Sequence, residues 1–240
     1  MNVLVFQTAE QANAAAAETL AGWLVAPGTR NVMLAAGNTP LELYRLVAAR
    51  RLALAHLNVF ALDEYVGVPR DEPRNCANLI RRTAVGPWGV PAANGFMVSS
   101  LEAEALACIR AHERRIGEMG GLDVIVLGLG QNGHLGFNEP GSAEDSVARV
   151  LDLDAISVEA NRQWFNGDYA PSRGATVGMK TILAARRVLI MAYGPHKAAA
   201  VASMRHGPRD ASCPASWLQG HGDTQVFLDA AAASRTEAGP

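Results

Sequence analysis

The 240-residue sequence predicts one doubly wound α/β domain, residues 1–240, around a largely parallel sheet. Three observations point there. Short apolar runs alternate with longer helical stretches from end to end, the order of an α/β fold. The apolar runs are continuous, as in strands covered on both faces. No linker or internal repeat divides the chain, and 49% hydrophobic residues supply a sizeable core.

The elements follow in order. Val3 to Phe6 reads as a short strand. Thr8 to Val25 is Ala-rich and helical, with Thr8 as N-cap and Gln11 as its capping-box partner. Val32 to Ala35 is a buried strand. Pro40 to Ala49 reads as a helix with Thr39 as N-cap and Pro40 at its first position. Val59 to Leu62 is a strand and Asn75 to Thr83 a helix. Leu101 to Met119 is a long amphipathic helix, capped by Ser100 and closed by Gly120. Val124 to Leu127 and Val147 to Leu153 are strands. Ser157 to Phe165 is weakly helical and breaks at Asn166-Gly167. Met179 to Ala185 is a short helix, Val188 to Ala192 a strand, Lys197 to Met204 a helix and Val226 to Leu228 a last strand. The Ala-rich tail after Asp229 is a helix or frayed.

Bulk properties exclude several functions. A net charge of -2 with no basic stretch gives no support to nucleic-acid or anionic-membrane binding. No apolar run approaches the ~20 residues that span a bilayer. The start, Met-Asn-Val-Leu-Val-Phe, lacks a basic region and a cleavage site, so no signal peptide is expected. Cys76, Cys108 and Cys213 are far apart and odd in number. They form neither a disulfide framework nor a metal motif, as expected of thiols in a reducing cytoplasm.

Residues 123 to 140, Asp-Val-Ile-Val-Leu-Gly-Leu-Gly-Gln-Asn-Gly-His-Leu-Gly-Phe-Asn-Glu-Pro, are the richest segment. An apolar strand runs into a turn with Gly128, Gly130, Gly133 and Gly136. Glycines let such a backbone bend sharply and approach a ligand. His134 and Glu139 then stand just past a strand end, where ligands bind in open α/β sheets. An imidazole beside a carboxylate suits acid–base chemistry on a small polar molecule. Gly128, Gly130 and Gly133 also fit G-x-G-x-x-G, with Asp152 and Asp154 downstream. A dinucleotide fingerprint must open a helix directly. Gly136 and Pro140 discourage one here.

Three other places carry candidate groups. Ala36-Gly37-Asn38-Thr39-Pro40 joins a strand to a helix, so its N–H groups and the Thr39 hydroxyl suit an anion such as phosphate; an ordinary capped loop reads the same way. Asp63-Glu64 follows a strand directly, and one of these acids, if desolvated, becomes a usable base. Lys197 begins a helix after a strand and can reach a phosphate, or be a plain surface lysine. No metal-ligand spacing emerges.

Ala36 to Leu41, Leu62 to Pro69, Leu127 to Pro140 and Thr176 to Lys197 together resemble the glucosamine-6-phosphate deaminase/isomerase family, its galactosamine-6-phosphate branch included. Leu-Asp-Glu-Tyr-Val-Gly and Asn-Gly-His-Leu-Gly-Phe-Asn-Glu-Pro are its most specific motifs. The resemblance implies a Rossmann-like three-layer αβα sandwich, similar to ribose-5-phosphate isomerase and coenzyme A transferases. It implies conversion of an amino-sugar phosphate and water to a ketose 6-phosphate and ammonia, with no metal or organic cofactor. On this resemblance Gly37, Asn38, Thr39 and Lys197 hold phosphate, and Gly130 lends its N–H to developing charge. His134 opens the sugar ring, Glu139 orients and charges the imidazole, and Asp63 moves the C2 proton to C1.

Departures from the family pattern are informative. Asn132 stands where some members have Asp and can only hydrogen-bond. A lid stretch Asn-x-Arg-Phe-Phe becomes Asn161-Arg162-Gln163-Trp164-Phe165, which leaves Arg162 one residue from the phosphate-gripping position. Arg149 matches one basic residue of the allosteric members and Leu151 replaces a Lys, which speaks against an N-acetylated activator. The expected partner is a small sugar phosphate, and the expected state a monomer or small homo-oligomer. A 6-phosphogluconolactonase-like hydrolase is the nearest alternative, disfavoured by the second acid in Phe137-Asn138-Glu139-Pro140. A sugar-phosphate sensor is the non-enzyme alternative. Sensors of this fold carry a DNA-binding helix-turn-helix, whereas here the sheet is expected to begin at Val3.

Overall fold

The computed structural model describes residues 1–236. In chain order the elements are β1 (Asn2–Phe6), α1 (Ala9–Val25), β2 (Asn31–Leu34), α2 (Asn38–Ala49), β3 (Asn58–Ala61), β4 (Asp63–Tyr65) and α3 (Cys76–Ile80). Then come β5 (Gly95–Phe96), α4 (Glu102–Glu118), β6 (Val124–Gly128), β7 (Arg149–Asp152), α5 (Ala155–Trp164) and β8 (Arg173–Thr176). α6 (Met179–Leu183), β9 (Arg187–Ala192), α7 (Ala198–His206), β10 (Thr224–Asp229) and α8 (Ala230–Ala233) follow, with short 3₁₀ or π turns at Arg81–Val85, Ala92–Asn94, Pro195–Lys197 and Pro214–Gly220. No helix among the described residues is long and apolar enough to cross a membrane.

Seven strands form one sheet in the order β1-β10-β9-β6-β2-β3-β5, and every pair in it is parallel. Helices flank it; α1 packs on α2 and β10. The central strands are buried throughout: Val32, Met33, Leu34, Ile125, Val126, Leu189 and Ile190 are fully inaccessible. Each such large side chain contributes about 1.5–3 kcal/mol on burial. That stiffness fixes the strand ends. β9, β6, β2 and β3 are adjacent and point the same way, so the segments that follow them gather at one edge. Those are the segments around Gly37, Asp63, His134 and Lys197.

A second sheet, β4-β8-β7, is antiparallel and was not legible in the sequence. β4 has three residues, two of them acidic, and β8 contains Gly174. Neither shows the alternation or β-branched run that marks a strand. Gly174 has a packing reason: a Cβ there would lie 2.3 Å from the Phe137 ring. The small sheet puts Asp63 opposite Thr176, at the junction of both sheets.

Two capping expectations and one helix boundary need correction. α2 begins at Asn38, so its N-cap is Gly37 (φ 109°) and Thr39 and Pro40 lie inside the first turn. α4 is capped by Leu101 without a side-chain bond. Ser100 is instead packed inward at 2% exposure, and the Ser99 hydroxyl accepts from Leu101 N–H at 3.3 Å. The helix around Lys197 begins one residue later, after a 3₁₀ turn at Pro195–Lys197. Thr8 caps α1 as expected, accepting from Gln11 N–H. The strand expected at 147–153 narrows to β7. The Ala-rich tail is helical in α8; residues 237–240 lie outside the described part.

Candidate active site

A cleft of about 300 Å³ opens at the C-terminal edge of the four central strands. One side is the start of α2. Gly37 takes φ 109°, which only glycine adopts without strain, and no side chain caps the helix. The first-turn N–H groups, beside Gly37, Asn38 and Thr39, are therefore left for an anion. Lys197 lines the same cleft. Burial alone pushes its ammonium below the ordinary lysine range, with no carboxylate to offset it. A half-buried cation beside free helix N–H groups suits an anion. His196, adjacent and also in the cleft, was not singled out from the sequence.

Asp63 lines the cleft and is 6% exposed. Burial, then the charge of Glu64, pushes its carboxyl up to about 7, the range of a general base at neutral pH. Geometry separates the pair of acids into two roles, since only Asp63 lines the cleft. Glu64 points inward, fully buried, and accepts N–H bonds from Tyr65, Cys76 and Ala77 at 2.8, 3.0 and 2.8 Å. Those donors oppose the upward push of its burial, which still carries its carboxyl up to about 7.

The glycine turn supplies the other groups. It does not open a helix, which removes the dinucleotide reading; Leu135 and Asn138 instead form an isolated bridge. His134 Nδ1 lies 3.2 Å from Glu139 Oε2, which leaves Nε2 for a ligand. Asn132 Nδ2 donates to the same Oε2 at 2.8 Å, and its Oδ1 accepts from His134 N–H at 3.2 Å. Burial would raise Glu139, but its bonds to His134, Ser157 and Asn132 hold it below the ordinary carboxylate range. Two glycines make room. A Cβ on Gly130 would lie 2.4 Å from the His134 ring, and one on Gly136 (φ +61°) 3.2 Å from Asp63 Oδ2.

The structure thus gathers Gly37, Asn38, Thr39, Asp63, Gly130, His134 and Lys197 around one cleft, with Asn132 and Glu139 behind the imidazole. It does not bring in Arg162. That side chain is largely exposed and points to Glu159, 3.5 Å away, while Asn161 and Trp164 of α5 line the cleft. Ser157 is the group that sequence reasoning missed at the centre: its Oγ lies 3.4 Å from His134 Nδ1. The only sign of it was its place in the first turn of a weakly patterned helix.

Residues 5–227 match the family model described as glucosamine-6-phosphate isomerases/6-phosphogluconolactonase. The chain belongs to that family. Glucosamine-6-phosphate deaminase of Corynebacterium kroppenstedtii is 38% identical, over 99% of this chain and 93% of that one. The Cutibacterium acnes enzyme of the same name is also 38% identical, over 98% and 92%. Among solved structures, a monomeric glucosamine-6-phosphate deaminase superimposes with a TM-score of 0.93 at 30% identity, covering 98% of this chain and all 100% of that one. A Trypanosoma brucei 6-phosphogluconolactonase superimposes at 0.79 and 22% identity, a likeness of fold. The four segments through which the chain resembles its family meet at the cleft edge of the sheet.

Proposed function

We propose that this chain is an amino-sugar phosphate deaminase/isomerase. It converts glucosamine 6-phosphate, or its galactosamine epimer, and water to the ketose 6-phosphate and ammonia. The observation that carries this reading is one cleft with two differently tuned acid–base groups: Asp63, raised to about 7, and the His134–Glu139 pair. A receptor for phosphate stands across from them. Residues 1–240 act as one catalytic domain, in the cytoplasm, as a monomer or small homo-oligomer.

The phosphate is held by the start of α2 and Lys197, with His196 beside it. His134 passes a proton from the anomeric hydroxyl to the ring oxygen, and the pyranose opens to the aldehyde. Glu139 supports the imidazolium formed on the way. Asp63 takes the C2 proton, the bonding electrons move onto the carbonyl, and O1 takes a proton from the C2 ammonium to give an enolamine. N–H groups of the glycine turn, Gly130 among them, steady the developing oxyanion. Asp63 returns its proton to C1. The resulting C2 iminium adds water and expels ammonia.

The test is ammonia release from glucosamine 6-phosphate and galactosamine 6-phosphate side by side. Ammonia and ketose 6-phosphate should appear in equal amounts from one of them, with or without chelator. Hydrolysis of 6-phosphogluconolactone, with no ammonia from either epimer, would replace this reading by the lactonase one.

A further inference from the structure

Two partners of His134 come from its own turn: Asn132, His134 and Glu139 lie within eight consecutive residues. Ser157 is different. It lies in the first turn of α5, 23 positions away in sequence, and is 5% exposed. Its Oγ stands 3.4 Å from His134 Nδ1, the nitrogen that also faces Glu139 Oε2. Its hydroxyl is near enough to the Glu139 carboxylate to help keep that acid ionised. Glu139 Oε1 is buried without a hydrogen-bond partner among the described residues.

α5 also forms a wall of the cleft through Ile156, Ala160, Asn161 and Trp164. Its far end is tied down separately. Trp164 Nε1 donates to the Arg74 carbonyl at 3.0 Å, and Asn161 Nδ2 to the Pro171 carbonyl at 2.9 Å. One helix thus encloses the ligand and touches the acid–base pair.

We infer that Ser157 is a positioning residue. Through its hydroxyl, α5 completes the His134–Glu139 pair, so the pair reaches its working arrangement only when that wall of the cleft is seated. The role rests on the deaminase reading above. Ser157 acts through the imidazole and does not itself touch the sugar's reacting atoms.

The experiment compares Ser157→Ala with Ser157→Thr, which keeps the hydroxyl. A neutral hydrogen bond is worth about 0.5–1.5 kcal/mol, so the alanine variant should lose about two- to thirteenfold in kcat with KM within twofold. The threonine variant should recover most of that loss. The ring ¹⁵N signals of His134, which report the Nδ1–H bond, should shift in the alanine variant and stay near wild type in the threonine one. This second readout needs no turnover, so it separates failure of the inference from failure of the deaminase reading. Unchanged kcat and ¹⁵N signals in Ser157→Ala would overturn the inference. So would a rise in KM alone, or an equal kcat loss in Ser157→Thr at unchanged melting temperature.

Discussion

The β3–β4 junction and the glycine turn after β6 each deliver one carboxylate to the cleft, and they treat it in opposite ways. Asp63 and Glu139 are equally exposed, at 6%. Yet Asp63 is pushed up to about 7 while Glu139 is held below the ordinary range. Burial raises both acids and is the chief cause at Asp63; the difference is that partners outweigh it only at Glu139. Asp63 has a second acid beside it in Glu64, itself raised to about 7 and fixed in place by three backbone donors. Glu139 has an imidazole, an amide and a hydroxyl around it. The first environment makes an acid that accepts a proton near pH 7; the second makes a standing charge that orients and supports a neighbour.

The largest expected effect comes from removing the first of these. Asp63→Asn keeps shape and abolishes basicity. Turnover should fall roughly a hundredfold or more, the scale of a positioned base, while binding of a phosphorylated ligand stays intact. Exchange of the C2 proton with solvent should stop; if it persists, Asp63 is not the base. Stability should move the other way. Between the ordinary 3.8 and about 7, the folded protein binds more protons at Asp63 than the unfolded chain does. This group therefore lowers stability progressively as pH rises through that window, and fully above it. The variant should melt higher than wild type at pH 8, by at most about 4 kcal/mol, and the gain should vanish toward pH 4. A gain independent of pH would place the raised carboxyl elsewhere.

The second effect tests the other environment. His134→Gln removes the imidazole that Glu139 supports. If His134 serves ring opening, the loss should be largest with substrate that is almost wholly cyclic. It should shrink in the reverse direction with a ring-blocked analogue of the ketose plus ammonia. Thermal melting controls for a structural histidine. Equal losses with both substrates at unchanged stability would remove the ring-opening role and leave general acid–base work alone.

Most of this contrast was legible before any coordinates. β6 and the turn after it announce themselves because an apolar run ends in four glycines, and a histidine and an acid follow at fixed spacing. The large parallel sheet is equally plain, since its central strands are buried on both faces. The missing parts share a cause. β4 and β8 are short, and their pairing is set by residues more than a hundred positions apart, such as Asp63 and Thr176. Which of Asp63 and Glu64 faces the cleft depends on that pairing. Ser157 depends on the packing of α5 against the turn, which no local pattern encodes. Thr39 looked like a cap because caps favour threonine, yet Gly37 takes the position and leaves the helix N–H groups free. There, the usual side-chain cap is given up and the helix N–H groups face the cleft.

The smallest effects separate the two cations that the sequence offered for phosphate. Lys197 is recessed in the cleft and its burial is uncompensated by any carboxylate. Losing a charged hydrogen-bond partner typically costs ~1.5–3 kcal/mol. Lys197→Ala should therefore raise KM for the phosphorylated sugar by about ten- to a hundredfold, with little change for the unphosphorylated one. Arg162 is largely exposed and faces Glu159 on the outer side of α5. Exposed pairs of this kind are worth about 0–1 kcal/mol, and none of it reaches the ligand. Arg162→Ala should leave KM within twofold. Equal weakening of both sugars by Lys197→Ala would move that lysine away from the phosphate. A KM rise in Arg162→Ala as large as that in Lys197→Ala would mean that α5 turns when substrate binds and carries Arg162 into the cleft. In that case Ser157, on the same helix, would turn with it, and the two variants would fail together.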